Sequence, residues 1–206
     1  MSKNIALIGA SGNIGSKVTQ ELLSRGYNVT AIARNPEKVE ASERVTPVAG
    51  DILQPQQLAE TLKGHDAVIC AASFIPNESE KLLEAIRLSG VNRYLMVGGA
   101  ASLLNEDGIK VWETLEGLPD GVMNYIQEGM RALDLLKEAD DFDWTFLSPA
   151  VVIGPGERTG KFRLGKDNVV ADDNGESKIS YDDYAIALVD ELEQGNNIRA
   201  RFTLGY

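Results

Sequence analysis

The stretch Asn4-Ile5-Ala6-Leu7-Ile8-Gly9-Ala10-Ser11-Gly12-Asn13-Ile14-Gly15 decides the fold. An apolar run ends at a glycine-rich turn, and Ile14, Val18 and Leu22 then recur every four positions before Gly26, as in a helix packed on a sheet. The three glycines allow a sharp turn, bring bare backbone close to a pyrophosphate and let the helix pack closely on the strand. The N–H groups that open the helix then point at the anion. A tight strand-to-helix turn without a ligand has the same spacing, but the flanking strand and helix favour a nucleotide site.

Short apolar runs alternate with amphipathic segments along the rest of the chain. Strands are predicted at 4–8, 28–33, 45–49, 67–71, 94–97, 144–147 and 200–204, and helices at 13–25, 55–62, 78–89, 122–138 and 182–193. Asn77 and Ser180 stand where two of these helices begin. Strands that are apolar throughout and alternate with helices predict an α/β fold with a doubly wound parallel sheet. Because no repeat or Pro/Ser-rich linker interrupts the pattern, we predict one domain over residues 1–206.

Two long irregular stretches, 98–121 and 148–180, follow predicted strands. Both should emerge at the carboxyl edge of the sheet, where ligands bind in open α/β folds. They are the small substrate-side loops of the prediction, because a chain of 206 residues leaves little room for a separate substrate lobe.

Charge and residue usage exclude several functions. The net charge of −11 repels nucleic acid and anionic membrane surfaces, and no apolar run approaches the ~20 residues of a membrane span. The single cysteine, Cys70, lies in an apolar run and the single histidine, His65, in a polar turn, so we expect neither a disulfide nor a metal site. With no apparent leader sequence, we expect a cytoplasmic protein, either a monomer or a homodimer, whose partner is a small molecule.

The ends of the second and third strands bear on the type of dinucleotide. NAD sites usually place an acidic residue roughly 20 residues past the glycines, at the end of the second strand, whereas an arginine there can hold a 2′-phosphate. Here the strand ends in Arg34, which favours NADP over NAD, although a surface arginine that starts a helix remains the alternative. Asp51 can accept the adenine amino group while Ile52 covers the ring, or Asp51 can cap a helix instead.

Further candidates come from the other strand ends. Ala71, Ala72 and Ser73 offer small side chains beside the cofactor ribose, or simply close packing. Backbone near Gly98 and Pro149 is expected to shape the nicotinamide pocket. With the glycine turn, the candidate cofactor-binding residues are Gly9, Ser11, Gly12, Asn13, Ile14, Gly15, Arg34, Asp51, Ile52, Ala71, Ala72, Ser73, Gly98 and Pro149.

The whole chain resembles atypical short-chain dehydrogenases/reductases with an NAD(P)H-binding domain, which include NADH-flavin reductases, biliverdin-IXβ/flavin reductase and NmrA-like proteins. The resemblance rests on the glycine turn and on the segments 33–36, 50–52, 97–103, 147–150 and 158–163. It implies a Rossmann-like fold, NADP(H) as cofactor, and reduction of a flavin, quinone or similar flat acceptor.

The chain departs from the wider superfamily at its catalytic tyrosine. Typical members use a serine to orient the substrate and a tyrosine whose pKa is lowered by a lysine four residues later. Ser102 and Tyr125 could match the serine and the tyrosine, but Gly129 stands in place of the lysine. Without that charge the phenol is a poor base, so alcohol dehydrogenation and sugar-nucleotide epimerisation lose their mechanism. Alternatively, Tyr125 belongs to a packed helix face.

The second irregular stretch contains a basic cluster in an otherwise acidic protein. Arg158, Lys161 and Arg163 lie close together in sequence and could bind an anionic substrate or a flavin phosphate. A solvated loop that balances nearby acidic residues accounts for them equally well.

Three functions remain open. The first is an NADP(H)-dependent reductase that transfers hydride to a flavin, quinone or similar conjugated acceptor, for which the proton can come from water. The second is a non-catalytic NADP-binding redox sensor or regulator of the NmrA-like type. The third is an isomerase or lyase that uses bound nicotinamide transiently.

Overall fold

A sheet of eight strands forms the centre of the molecule in the computed structural model, which describes residues 3–74 and 78–206. The strands are β1 (Asn4–Ile8), β2 (Asn28–Ala33), β3 (Val45–Ala49), β4 (Ala67–Cys70), β5 (Arg93–Val97), β6 (Asp143–Ser148), β7 (Val152–Gly154), β8 (Arg163–Gly165), β9 (Lys178–Ser180) and β10 (Ala200–Gly205). The helices are α1 (Asn13–Ser24), α2 (Pro55–Leu62), α3 (Glu78–Ser89), α4 (Asp120–Glu138) and α5 (Tyr181–Gln194). Strands β7 and β9 pair separately.

The strand order is β3-β2-β1-β4-β5-β6-β10-β8, and every pairing in it is parallel except that of β8 with β10. Leu7 of β1 stands opposite Ala31 of β2 on one side and Ile69 of β4 on the other. The chain therefore turns to one side after β1 and returns to the other side at β4. This reversal opens a crevice at the carboxyl ends of β1 and β4, the usual ligand position in open α/β sheets.

Each face of the sheet is covered by its own set of helices. Alternate residues of β1 point to opposite faces, so that Leu7 packs beneath α1 and α5 while Ile8 packs beneath α2, α3 and α4. Val18 and Leu22 of α1 are buried in the first of these cores, as their helical spacing predicts. The two cores fix the strand ends, and with them the loops that form the carboxyl edge.

Local signals account for the best-defined helix ends. The Ser180 side chain accepts a hydrogen bond from the backbone N–H of Asp183 at 3.0 Å, and Gly195 closes α5 in the left-handed conformation with φ +62°. Asn77, the expected start signal of α3, lies outside the described residues.

The predicted doubly wound sheet is confirmed, with its strands and helices close to the expected bounds. The prediction missed β7, β8 and β9, which divide the stretch 148–180, because strands of three residues are too short to show a periodic pattern. Within the described ranges, no helix is long and apolar enough to span a bilayer.

Candidate functional site

A groove follows the carboxyl edge of the sheet across the point where β1 and β4 diverge. It consists of two cavities of about 310 and 380 Å³ that share Gly12, Ala71, Ala72 and Ser73. The first also contains Gly9, Ser11, Arg34, Asp51 and Ile52, and the second Asn13, Ile14, Gly98 and Pro149. This edge groove therefore brings together the predicted cofactor-binding residues from six segments of the chain, except Gly15.

The glycine turn is held tightly between β1, β4 and α1. A Cβ on Gly9, whose φ is +82°, would lie 2.6 Å from the backbone nitrogen of Ala72. A Cβ on Gly15 would lie 2.2 Å from the carbonyl oxygen of Gly9, so this glycine lets α1 pack on the turn. Both contacts are shorter than atoms tolerate, and the fold itself requires these two glycines.

Gly12 is different, because the protein leaves room for a side chain there. A Cβ on Gly12 would lie 3.4 Å from its nearest neighbour, the carbonyl oxygen of Gly9, and would point into the edge groove. Gly12 is the N-cap of α1 and contributes no side-chain hydrogen bond to the first helical turn. The open cradle above a helix N-terminus fits the pyrophosphate of a dinucleotide.

The β2 end of the edge groove carries two exposed cations. Arg34 and Lys38 are exposed and line the cavity, and within residues 3–74 and 78–206 neither forms an ion pair. The buried carboxyl of Glu78 also lines it; burial raises the pKa of Glu78, and the charge of Arg34 partly opposes that rise. Lys38 and Glu78 were not predicted, because neither stands at a strand end.

Asp51 organises the turn after β3 rather than capping a helix. Its Oδ1 accepts a hydrogen bond from the backbone N–H of Leu53 at 2.9 Å, and the N-cap of α2 is Gln54. Asp51 still lines the edge groove, beside the buried side chain of Ile52. The capping alternative is therefore wrong for Asp51, and its contact with a nucleotide stays a prediction.

A third cavity, the apolar slot, adjoins the edge groove and has a volume of about 250 Å³. Phe74, Gly99, Ala100, Tyr125 and Val151 line both spaces, so the slot adjoins the groove directly. The other residues that line the slot are Ala101, Ser102, Val111, Leu115, Ile126, Gly129 and Met130. The two predicted catalytic residues, Ser102 and Tyr125, thus lie in one cavity.

Phe74 forms the wall between groove and slot, and the sequence did not single it out. Its ring meets that of Tyr125 edge-on, with 5.3 Å between centroids and 63° between planes. A Cβ on Gly129 would lie 3.1 Å from the Phe74 ring, so the small residue makes room for the aromatic wall. The position where a lysine would activate Tyr125 is therefore used for packing.

The hydroxyl groups of Ser102 and Tyr125 have different surroundings. Ser102 Oγ accepts a hydrogen bond from Arg201 Nη1 at 3.2 Å, which leaves the serine proton free to be donated. Partial burial raises the pKa of Tyr125 above its ordinary value. The phenol stays protonated at neutral pH and cannot serve as a base.

The predicted basic cluster does not face the groove or the slot. Arg158 Nη2 lies 2.6 Å from Glu21 Oε2 on α1, and Arg163 of β8 donates to the carbonyl oxygens of Ala171 and Tyr206. Lys161 is exposed. Substrate binding by Arg158, Lys161 and Arg163 stays a prediction that these contacts do not favour.

The remaining chemically distinctive side chains have structural surroundings. Cys70 is buried, and burial raises the pKa of its thiol to about 11. The His65 ring nitrogens contact the carbonyl oxygen of Leu62 at 2.9 Å and Thr30 Oγ1 at 2.7 Å. In the part of the chain that the structure describes, no cluster of His, Cys, Asp or Glu could hold a metal ion.

Comparison with known proteins places this geometry in a family. A family model described as NAD(P)H-binding matches residues 9–195. The uncharacterized protein YwnB of Bacillus subtilis (strain 168) is 38% identical over 210 residues, which cover 97% of each chain. A solved structure from Bacteroides thetaiotaomicron, named as a proposed epimerase, is 40% identical with a TM-score of 0.93 over 100% of this chain and 98% of that one. A proposed NADH-flavin reductase from Streptococcus pneumoniae is 33% identical with a TM-score of 0.82 over 99% of both chains.

Proposed function

The chain belongs to the NAD(P)H-binding family, with an oxidoreductase-like fold, and from that premise we propose that it is an NADP(H)-dependent reductase that transfers hydride to a flavin, a quinone or a similar conjugated acceptor. The observation that carries the proposal is the apolar slot beside the edge groove. A cofactor in the groove and an acceptor in the slot would meet at Phe74, Gly99 and Tyr125.

The chain's residues have distinct roles in binding the cofactor. The N–H groups at the start of α1 and the open cradle at Gly12 would hold the pyrophosphate. Arg34 and Lys38 would hold the 2′-phosphate, which favours NADP over NAD. Gly98 lines the second cavity of the groove and has no room for a side chain, because a Cβ there would lie 2.2 Å from the buried Phe146 ring; its backbone would adjoin the nicotinamide.

When bound, the reduced cofactor supplies a hydride, and one proton from water completes the two-electron reduction of the acceptor to a dihydroflavin or hydroquinone. The slot orients the flat acceptor between apolar side chains and stays open to solvent, from which the proton can come. Ser102 donates its hydroxyl proton in a hydrogen bond to an acceptor oxygen, where negative charge develops. No side chain has to transfer a proton, because the product charge is delocalised over the ring.

Two alternatives are less well supported. A redox sensor needs only the edge groove, where the cofactor would bind, and does not require an adjoining apolar slot for a second substrate. An epimerase is suggested by the name of the Bacteroides thetaiotaomicron protein, but epimerases of this type use a tyrosine activated by a lysine, and here Gly129 and the raised pKa of Tyr125 oppose that chemistry.

The decisive experiment follows NADPH absorbance with the purified protein and a panel of acceptors: riboflavin, menadione, and a simple ketone such as acetophenone as the control. A reductase of the proposed kind oxidises NADPH with riboflavin or menadione and leaves it unchanged with the ketone or without an acceptor. Binding of NADPH without its oxidation by any member of the panel would instead favour the sensor. Turnover of the ketone alone would favour an alcohol dehydrogenase and contradict the proposal.

A further inference from the structure

We propose that the apolar slot selects an uncharged acceptor and discriminates against acceptors that carry a phosphate or another anionic group. The inference rests on the proposed function, because it assigns the acceptor to the slot. It narrows the substrate class from flavins and quinones in general to their uncharged members, such as riboflavin and quinones without an anionic substituent, and excludes flavin mononucleotide.

Among the residues that the structure describes, none that lines the slot carries a charged side chain. Its polar side chains are the hydroxyls of Ser102 and Tyr125, and the rest are apolar groups such as Val111, Leu115 and Met130. An anion placed there would lose its hydration without gaining an ion pair, which is costly. A neutral conjugated ring would lose little hydration and gain apolar contact.

Arg201, which is hydrogen-bonded to the slot residue Ser102, does not supply the positive charge that an anion in the slot would need. Arg201 lies behind Ser102 and is hydrogen-bonded to its Oγ, but it does not line the slot. Its guanidinium is largely buried and pairs with Asp167 at 2.5 Å, so its charge is already balanced by a carboxylate. A second cation, Lys178, lies in a neighbouring cavity rather than in the slot, and forms an exposed ion pair with Glu176.

The loop that contributes Val111 and Leu115 to the slot is acidic. Val111 and Leu115 belong to the stretch 98–121, which carries five acidic residues and one lysine. The five acidic residues, all exposed, are Glu106, Asp107, Glu113, Glu116 and Asp120. With the overall net charge of −11, this exposed acidic loop should repel an approaching anion, and salt should weaken that repulsion.

Positive charge is found at the other end of the site. Arg34 and Lys38 line the β2 end of the edge groove, on the far side of β1 and β4 from the slot. The basic residues Arg158 and Arg163, which could have served an anionic acceptor, are bound to Glu21 and to backbone carbonyls away from it. The charges thus match an anionic cofactor at one end and a neutral acceptor at the other.

Riboflavin and flavin mononucleotide test this inference, because they share the same ring and differ in one phosphate. Each is titrated into the full chain in the presence of NADP⁺, which cannot reduce it, and binding is followed by quenching of flavin fluorescence. We expect the dissociation constant of flavin mononucleotide to exceed that of riboflavin by about tenfold or more at low ionic strength, and the ratio to fall with added salt.

Two lysine substitutions, one at an exposed residue of the slot and one at an exposed residue far from it, give a matched pair of variants. Leu115 is 39% exposed at the slot, so Leu115→Lys should lower the ratio of the two dissociation constants several-fold. Leu88 is 49% exposed near the end of α3, which leads into the start of β5 at the opposite edge of the sheet. Leu88→Lys adds the same charge to the protein and should leave the ratio unchanged.

Each outcome bears on one of the two proposals. Equal or tighter binding of flavin mononucleotide, binding of neither flavin, or equal effects of Leu115→Lys and Leu88→Lys would overturn the assignment of a neutral acceptor to the slot. If riboflavin binds better but NADPH is not oxidised by riboflavin or menadione, the reductase proposal fails while the charge selection of the slot stands.

Discussion

The guanidinium of Arg201 donates a hydrogen bond to the hydroxyl of Ser102, with 3.2 Å between Nη1 and Oγ, and pairs with Asp167 on its other side. Because an arginine can only donate, it fixes the serine oxygen as an acceptor and leaves the serine proton for another partner. Ser102 lines the apolar slot, so that partner is an acceptor oxygen in the proposed reaction. Arg201 therefore acts as a positioning residue for Ser102.

Ser102→Ala should lower kcat for a quinone about tenfold and leave the affinity for NADPH unchanged. The loss corresponds to one hydrogen bond that strengthens as charge develops on the acceptor, worth roughly 1 kcal/mol or slightly more. Steady-state kinetics with menadione give kcat, and a fluorescence titration gives the cofactor affinity. An unchanged kcat would show that Ser102 does not contact the reacting group.

Arg201→Gln should also lower kcat, and the double variant with Ser102→Ala should be no slower than Ser102→Ala alone, because both changes remove the same interaction. Arg199→Gln is the control, since Arg199 lies two residues away and pairs with Asp143 at 3.6 Å instead. Independent, multiplying losses in the double variant would mean that Arg201 does not act through Ser102.

Gly12→Val should abolish cofactor binding in a folded protein, whereas Gly15→Val should fail to fold. The protein has room for a Cβ at Gly12, 3.4 Å from its nearest neighbour, but at Gly15 that atom would lie 2.2 Å from the Gly9 carbonyl oxygen. Circular dichroism and thermal melting report the fold, and calorimetric titration with NADPH reports binding. Tight binding by folded Gly12→Val would show that the nucleotide lies elsewhere.

Arg34→Ala should weaken NADP(H) binding about 10- to 100-fold and barely change NAD(H) binding, because a charge-assisted hydrogen bond to a 2′-phosphate contributes roughly 1.5–3 kcal/mol. Titration calorimetry with both cofactors measures the effect. Arg44→Ala, which removes an exposed arginine outside the edge groove, controls for the change in net charge. Equal affinity of the unmutated protein for the two cofactors would contradict NADP selectivity.

Asp183 holds the loop after β7 in place through several hydrogen bonds. Its buried carboxylate accepts hydrogen bonds from the backbone N–H of Gly160 at 2.8 Å, from Thr159 Oγ1 at 2.5 Å and from the Tyr206 hydroxyl at 2.8 Å. Burial alone would raise the pKa of Asp183, but these hydrogen bonds lower it overall. The loop that carries the basic cluster is thus fastened to α5.

Asp183→Asn should destabilise the protein by about 3 kcal/mol at pH 7, because it leaves buried donors without a charged acceptor. The lowered pKa means that the carboxylate stabilises the fold above the ordinary value of 3.8 and loses this effect as the pH falls through the folded-state pKa. Urea unfolding of both proteins should therefore show a difference that narrows between about pH 5 and pH 2.

Asp182→Asn is the matched control for that series. Asp182 stands in the same first turn of α5 but pairs with Lys17 at 3.0 Å near the surface, so its loss should cost less than about 1 kcal/mol. A difference between Asp183→Asn and the unmutated protein that stays constant with pH would contradict a lowered pKa for Asp183.

The sheet could be predicted because its parallel strands are apolar runs of four to six residues and the apolar residues of its helices recur every three to four positions. The position of Arg34 and of the glycine turn could be predicted because strand ends meet at one edge of a parallel sheet, and the edge groove contains Arg34 and the predicted cofactor-binding residues of the turn except Gly15. Phosphate binding there stays a prediction. Phe74 and Arg201 could not be predicted, since each acquires its role from a partner distant in sequence, Gly129 and Ser102. The same holds for Arg158, whose charge in the sequence gave no sign that Glu21 of α1 would bind it.

Tyr125→Phe should retain most of the turnover with riboflavin or menadione. The Phe74 ring covers Gly129, where an activating lysine would otherwise stand, and burial raises the pKa of Tyr125, so the phenol is a weaker proton donor than an activated tyrosine. Phenylalanine keeps the edge-on contact with Phe74, which leaves the wall of the slot in place. Loss of a general acid would typically lower the rate about 10²- to 10⁴-fold. Loss of a Tyr125 hydroxyl that takes no part in proton transfer should lower it a few-fold at most. Steady-state kinetics with NADPH compare the two proteins, and circular dichroism with cofactor titration verifies fold and binding. A fall of a hundredfold or more with both intact would assign proton transfer to Tyr125, and the mechanism with water as the proton source would have to be abandoned.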